Sequence, residues 1–77
     1  MGGMPGKSAE LPSDRVAREL RTRISAGEWN PGEQLPTASE IADEYRVSRG
    51  AVTRAVGILA DEGLLRTVPR WGVFRAE

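Results

Sequence analysis

Seventy-seven residues leave room for one domain with one modest core, because a chain this short buries only about 60% of its unfolded surface. With no cysteine and no histidine, disulfides, thiol chemistry and thiolate metal sites are excluded, and so are the commonest general base and metal ligand. Eleven basic and eleven acidic residues cancel, which by itself argues against a nucleic-acid partner; but residues 46–75 hold six arginines against two acids, while 37–45 hold three acids and no base. Segregation of this kind matters more to a binding face than the total does.

No apolar run approaches the roughly 20 residues that a bilayer span requires. Residues 1–7 lack the apolar centre of a signal peptide. A soluble, intracellular and cytoplasmic protein is the expectation. Residues 1–10 hold three glycines, a proline and few apolar residues, and are expected to form a disordered tail ahead of a single domain over 11–77.

Residues 13–26 read as a first helix, with Ser13 as its cap and Val16, Ala17, Leu20 and Ile24 on one apolar stripe. Arg15, Arg18, Arg21 and Arg23 occupy its other faces, more as a solvated surface than as a contact. Gly27 suits the position just past the helix end. Asn30-Pro31-Gly32 signals a turn, after which Gln34 and Leu35 can form a short strand; Trp29 is expected to lie half-buried over this turn.

Residues 37–45 read as a second helix. Thr37 and Glu40 match a capping box, and Ala38, Ile41, Ala42 and Tyr45 supply the inner face. Arg46-Val47 is a very short link. Ser48 then caps a third helix, 48–62, whose core stripe is Val52, Ala55, Val56 and Leu59 and which Gly63 ends. Two helices joined so tightly cross at a large angle, which is the helix-turn-helix. Strands over 64–68 and 73–75 flank Pro69-Arg70-Trp71-Gly72, a hairpin with a basic and aromatic tip, and Leu64, Leu65 and Phe74 are expected to close the core. The fold class is mainly α with a small β-hairpin (α+β): a winged helix-turn-helix of three helices plus a wing.

These residues resemble the DNA-binding domain of the GntR family of bacterial regulators. The matching series is Ile24-x-x-Gly27, Pro31-Gly32-x-x-Leu35-Pro36-Thr37, Glu40-Ile41-Ala42, Val47-Ser48-Arg49, Val52, Ala55, Leu59, Glu62-Gly63-Leu64-Leu65 and Gly72-x-Phe74, covering about 11–75. The resemblance implies that the third helix enters the major groove and the wing approaches the minor groove. It also implies that Ser48, Arg49, Gly50 and Ala51 face DNA, with Arg49 on a base edge and Ser39 near the start of the second helix as a further contact. The sequence departs from the pattern where Ser39 and Thr53 stand in place of the family's frequent arginines. Gly50 and Ala51 are smaller than the family's usual residues. Arg46 and Arg70 stand in place of glycines of the turn and the wing tip.

Side-chain chemistry points the same way. Arg49, in the first turn of the third helix, is placed to read a base; the bland alternative is a phosphate contact or a solvent-facing arginine. Ser48 is a cap whose neighbouring N–H groups can also meet a phosphate. Gly50 permits close approach, and Thr53 shares its exposed face. Arg70 suits a narrow minor groove, whereas Trp71 either faces DNA or folds back on the hairpin. The candidate DNA-binding set is completed by Thr37, Arg46, Arg54 and Gly72. No catalytic pair, phosphate loop, metal cluster or cofactor site is legible. Asp43-Glu44 and Asp61-Glu62 are adjacent carboxylates that diverge on a helix.

The expected function is therefore a sequence-specific regulator of transcription, a repressor, binding double-stranded DNA at a two-fold operator. Alone it is expected to be a monomer that pairs on DNA. A winged helix serving as a protein-interaction module without DNA binding is the alternative. The family carries an effector-binding or dimerisation domain after the wing. A sequence that stops at Glu77 reads as either an excised DNA-binding domain or a stand-alone protein.

Overall fold

The computed structural model describes residues 10–77. The tail expected over 1–10 lies outside them except for Glu10, whose carboxylate accepts two hydrogen bonds from Arg18, each of 3.0 Å. Three helices, α1 (Pro12–Ser25), α2 (Ala38–Tyr45) and α3 (Arg49–Asp61), precede strands β1 (Leu65–Val68) and β2 (Gly72–Arg75).

Periodicity sets the core. Val16, Leu20 and Ile24 of α1 meet Val52, Ala55, Val56 and Leu59 of α3, and Ile41 and Ala42 of α2 close one side. Each fully buried Leu, Ile or Val contributes about 1.5–3 kcal/mol relative to exposure. Leu65 of β1 seals the far end.

The start of α1 differs from expectation. Leu11 is the N-cap, without a side-chain hydrogen bond, and Pro12 opens the helix. A proline there gives up only an N–H that has no helical partner. Ser13 is thus drawn inside the first turn, where it is buried. The expected capping box of α2 is present: Glu40 N–H donates to the Thr37 hydroxyl at 3.1 Å, and Thr37 N–H donates to the Glu40 carboxylate at 2.8 Å. Ser48 caps α3 by accepting from Ala51 N–H at 3.1 Å. Caps of this kind are worth about 1 kcal/mol each.

All three helices end in the same pair of closing bonds. In α3, Gly63 N–H reaches the Ala60 carbonyl and Leu64 N–H the Leu59 carbonyl, and in α1 Gly27 and Glu28 do the same to Ile24 and Arg23. In α2 the corresponding donors are Arg46 and Val47, to Asp43 and Ala42. This closure requires a left-handed residue, normally glycine. Gly63 has φ +81°, and Arg46 adopts φ 57° with a full side chain. The helix-turn-helix link is therefore a helix end followed directly by the cap of the next helix.

β1 and β2 pair antiparallel with Leu65 opposite Arg75 and Val68 opposite Gly72. The segment after the Pro31-Gly32 turn adds a third edge. Leu35 N–H donates to the Val73 carbonyl, Arg75 N–H to Glu33 and Gly32 N–H to Arg75, each at 2.8 Å. Gln34 bridges Phe74, as the short strand expected there requires. Two aromatic expectations are corrected. Trp29 is buried, 6% exposed, and belongs to the core rather than lying half-covered. Val73, not Phe74, packs on the core; side chains alternate across a strand, so the register that turns Val73 inward turns Phe74 to the other face. There Phe74 lines a surface cavity of about 570 Å³ with Val68 and Trp71.

Candidate nucleic-acid interface

The arginines fall into two groups. Those of α1 are occupied. Arg21 pairs with Glu62 at the end of α3 through two bonds of 2.9 and 2.6 Å. Arg23 binds Glu28 through two bonds of 2.8 and 2.5 Å, donates to the Tyr45 hydroxyl at 2.8 Å, and lies 4.8 Å above the Trp29 ring. Arg18 pairs with Glu10. Arg15 reaches the Tyr45 carbonyl at 3.0 Å, a cation at the C-terminal end of α2 where the helix dipole favours one. Their partners respond accordingly. Glu10, Glu28 and Glu62 are each held below the ordinary carboxylate range, first by the hydrogen bond from the paired arginine. Arg23 is held further into its charged form, first by Glu28.

Arg75 is also occupied: its guanidinium donates to the Trp29 carbonyl at 2.6 Å. The remaining arginines are Arg46, Arg49, Arg54, Arg66 and Arg70. All five are exposed, and none makes a side-chain hydrogen bond or ion pair among the described residues. Zero net charge thus conceals two kinds of arginine, one engaged within the fold and one with a free guanidinium group among the described residues.

The candidate residues group by element. Arg49 and Gly50 open α3, exposed, with Thr53 and Arg54 exposed one turn on and Ala51 half-buried. The Arg49 and Gly50 backbone N–H groups have no partner among the described residues, since Ala51 and Val52 are the first amides bonded back to Ser48. Their free N–H groups and the helix dipole suit an anion. Ser39 is exposed in the first turn of α2. Thr37 is exposed but already accepts the α2 cap bond, which leaves its own hydroxyl proton to donate. Arg46, Ser48, Gly50, Ala51 and Arg54 line one groove with Leu11, Pro12 and Ser13, so the turn and the start of α3 form a continuous surface.

Arg70, Trp71 and Gly72 form the wing tip. Arg70 has φ 71°, a second non-glycine residue in the left-handed region. Trp71 is 73% exposed, so the reading in which it folds back into cover on the hairpin is not the one adopted. Sequence reasoning missed two residues that shape this surface: Arg15, which pins the end of α2, and Gln34, whose side-chain amide donates to the Trp71 carbonyl at 2.6 Å. Neither carries a local signal, because each partner is 30 or more residues away. Among the described residues no group of acids could hold a metal ion, and no helix is long and apolar enough to cross a membrane.

Comparison with known proteins agrees with this geometry. The family described as bacterial regulatory proteins, gntR family, matches residues 12–74. The histidine utilization repressor of Klebsiella aerogenes is 33% identical over 72 residues, 92% of this chain and 30% of that protein. The HTH-type transcriptional regulator YieP of Escherichia coli is 40% identical over 74 residues, 90% of this chain and 32% of its own length. The chain thus spans about a third of the length of these relatives. Among solved structures, the AraR DNA-binding domain in complex with operator ORE1 superimposes with a TM-score of 0.87 at 29% identity, covering 99% of this chain and 93% of that one. From the ordered motif series, the three helices with their hairpin wing and these matches, the chain belongs to the gntR family of bacterial regulatory proteins, of which it carries the winged helix-turn-helix DNA-binding domain.

Proposed function

We propose that this chain is the DNA-reading part of a transcriptional repressor, binding double-stranded DNA with α3 in the major groove and the β1–β2 wing at the minor groove. The observation that carries the reading is the sorting of the arginines. Arg46, Arg49, Arg54, Arg66 and Arg70 are exposed and unpaired among the described residues, while those of α1 and Arg75 are consumed within the fold. Repressor names among the relatives, and operator complexes of the AraR domain, support the same reading. In it Arg49 reads a base edge. The free N–H groups of Arg49 and Gly50, with Arg46 and Arg54, hold backbone phosphates. Ser39, Thr37, Ser48, Ala51 and Thr53 complete the groove surface, and Arg70, Trp71 and Gly72 meet the minor groove. Two copies occupy a two-fold operator and pair there rather than in solution. The protein acts in the cytoplasm, at the nucleoid, without catalysis of its own.

Selection of bound duplexes from a random pool, followed by titration of the recovered sequence at several salt concentrations, tests the proposal. A recurrent half-site, with affinity falling steeply as salt rises, is the expected result. Failure to retain any duplex at low salt would instead favour a winged helix that serves protein interaction.

A further inference from the structure

We propose that Gln34 is a positioning residue for the wing: a latch that fixes the tip, and so Arg70 and Trp71, at a set angle to α3. This rests on the reading in which the wing contacts DNA. A two-stranded hairpin is marginal by itself in water. Here β2 is anchored by the 32–35 edge, but that backbone pairing runs out at Leu35 N–H to the Val73 carbonyl. Beyond it the tip is closed by the Val68–Gly72 pair of the ladder and by the turn bond from Trp71 N–H to the Val68 carbonyl at 3.0 Å, and among the described residues the side-chain bond that reaches it from the body is that of Gln34 Nε2 to the Trp71 carbonyl at 2.6 Å.

The site is shaped for that amide. Gly72, next to the accepting carbonyl, lies at φ +121°, and a Cβ built there would sit 2.6 Å from Gln34 Nε2. Any side chain at 72 would displace the latch, so the glycine serves the close approach as well as the turn. The bond joins positions 37 residues apart and runs from the loop that leads into α2 to the wing tip.

The test uses Gln34→Met, which keeps length and removes the donor, and Gln34→Glu, which keeps shape and turns an acceptor toward the carbonyl. Each is measured as free protein and against the duplex selected from a random pool, alone and combined with Arg70→Ala. Backbone amide relaxation at Arg70, Trp71 and Gly72 is expected to show a loosened tip while the helices stay unchanged. Affinity is expected to fall about 2- to 10-fold, the range of one lost hydrogen bond. The loss should be much smaller in the Arg70→Ala background, because a merely structural effect would add to that substitution rather than vanish with it. An unchanged tip would overturn the latch. A loosened tip with unchanged affinity, where Arg70→Ala does weaken binding, would overturn its positioning role. If Arg70→Ala is itself without effect, the wing reading under the proposed function is what fails, and the positioning role falls with it.

Discussion

Arg75 and Trp29 are joined by a 2.6 Å hydrogen bond from guanidinium to backbone carbonyl, which ties the end of the wing to the loop after α1. By position Arg75 belongs to the basic half of the chain; by geometry it belongs to the scaffold. Arg75→Ala is expected to lower stability by about 1–3 kcal/mol, the range for losing a charge-assisted bond and leaving a partly buried carbonyl bare. The salt slope of DNA binding should stay unchanged. Thermal unfolding and salt titration measure the two separately, and a reduced slope would move Arg75 to the DNA face.

Arg49 makes the opposite prediction. It has no intramolecular partner among the described residues, so Arg49→Ala should leave unfolding within about 0.5 kcal/mol of the parent, as for an ordinary surface change. Binding to the selected operator should weaken by about 1–3 kcal/mol, with much less change on random duplex. Equal losses on both duplexes would make Arg49 a phosphate contact instead of a reader.

Arg46 tests whether backbone strain is retained for binding. Its φ of 57° completes a helix closure that Gly27 and Gly63 complete elsewhere. A side chain in that region costs on the order of 1 kcal/mol. Arg46→Gly is expected to raise the melting midpoint by up to about 4–8 °C, the shift that 1 kcal/mol produces in a domain this small. The same change should reduce the salt slope by about one unit. A variant that is more stable and binds DNA with the parent slope would show that the strain has no part in binding.

The pH profile follows from the paired carboxylates. Glu10, Glu28 and Glu62 titrate below the ordinary carboxylate range in the folded state because the hydrogen bonds from their arginines favour the anion. A depressed folded pKa means stability that is complete above the unfolded value and lost as pH falls through the folded one. With no histidine in the chain, stability should be flat between about pH 5 and 8 and decline below about 4.5. Glu62→Gln should flatten part of that decline, read as the midpoint against pH, and an acid limb identical to the parent's would show that the Arg21 pair contributes nothing.

Much of the fold is legible along the chain because its causes are local. The stripes Val16-Leu20-Ile24 and Val52-Val56-Leu59 follow from helical period, and the Thr37–Glu40 box and the Ser48 cap need only three residues of context. The helix-turn-helix follows from the shortness of the Arg46-Val47 link. Ser13 misled because hydroxyl residues are preferred caps, whereas Pro12 placed the helix start one residue earlier. Trp29 and Phe74 misled because burial in a loop or on a two-faced hairpin depends on what lies opposite.

Composition and period by themselves determined the class of fold, the core stripes, and the arginine-rich half that begins at Arg46. Only the tertiary structure decided which of those arginines stay free. Ion pairing joins residues as distant as Arg21 and Glu62, and the Gln34–Trp71 latch and the Arg75–Trp29 tie span equally separate segments. Charges along a chain can be counted, but whether a guanidinium is spent on the fold or left for a phosphate depends on the neighbours that folding brings within about 3–4 Å.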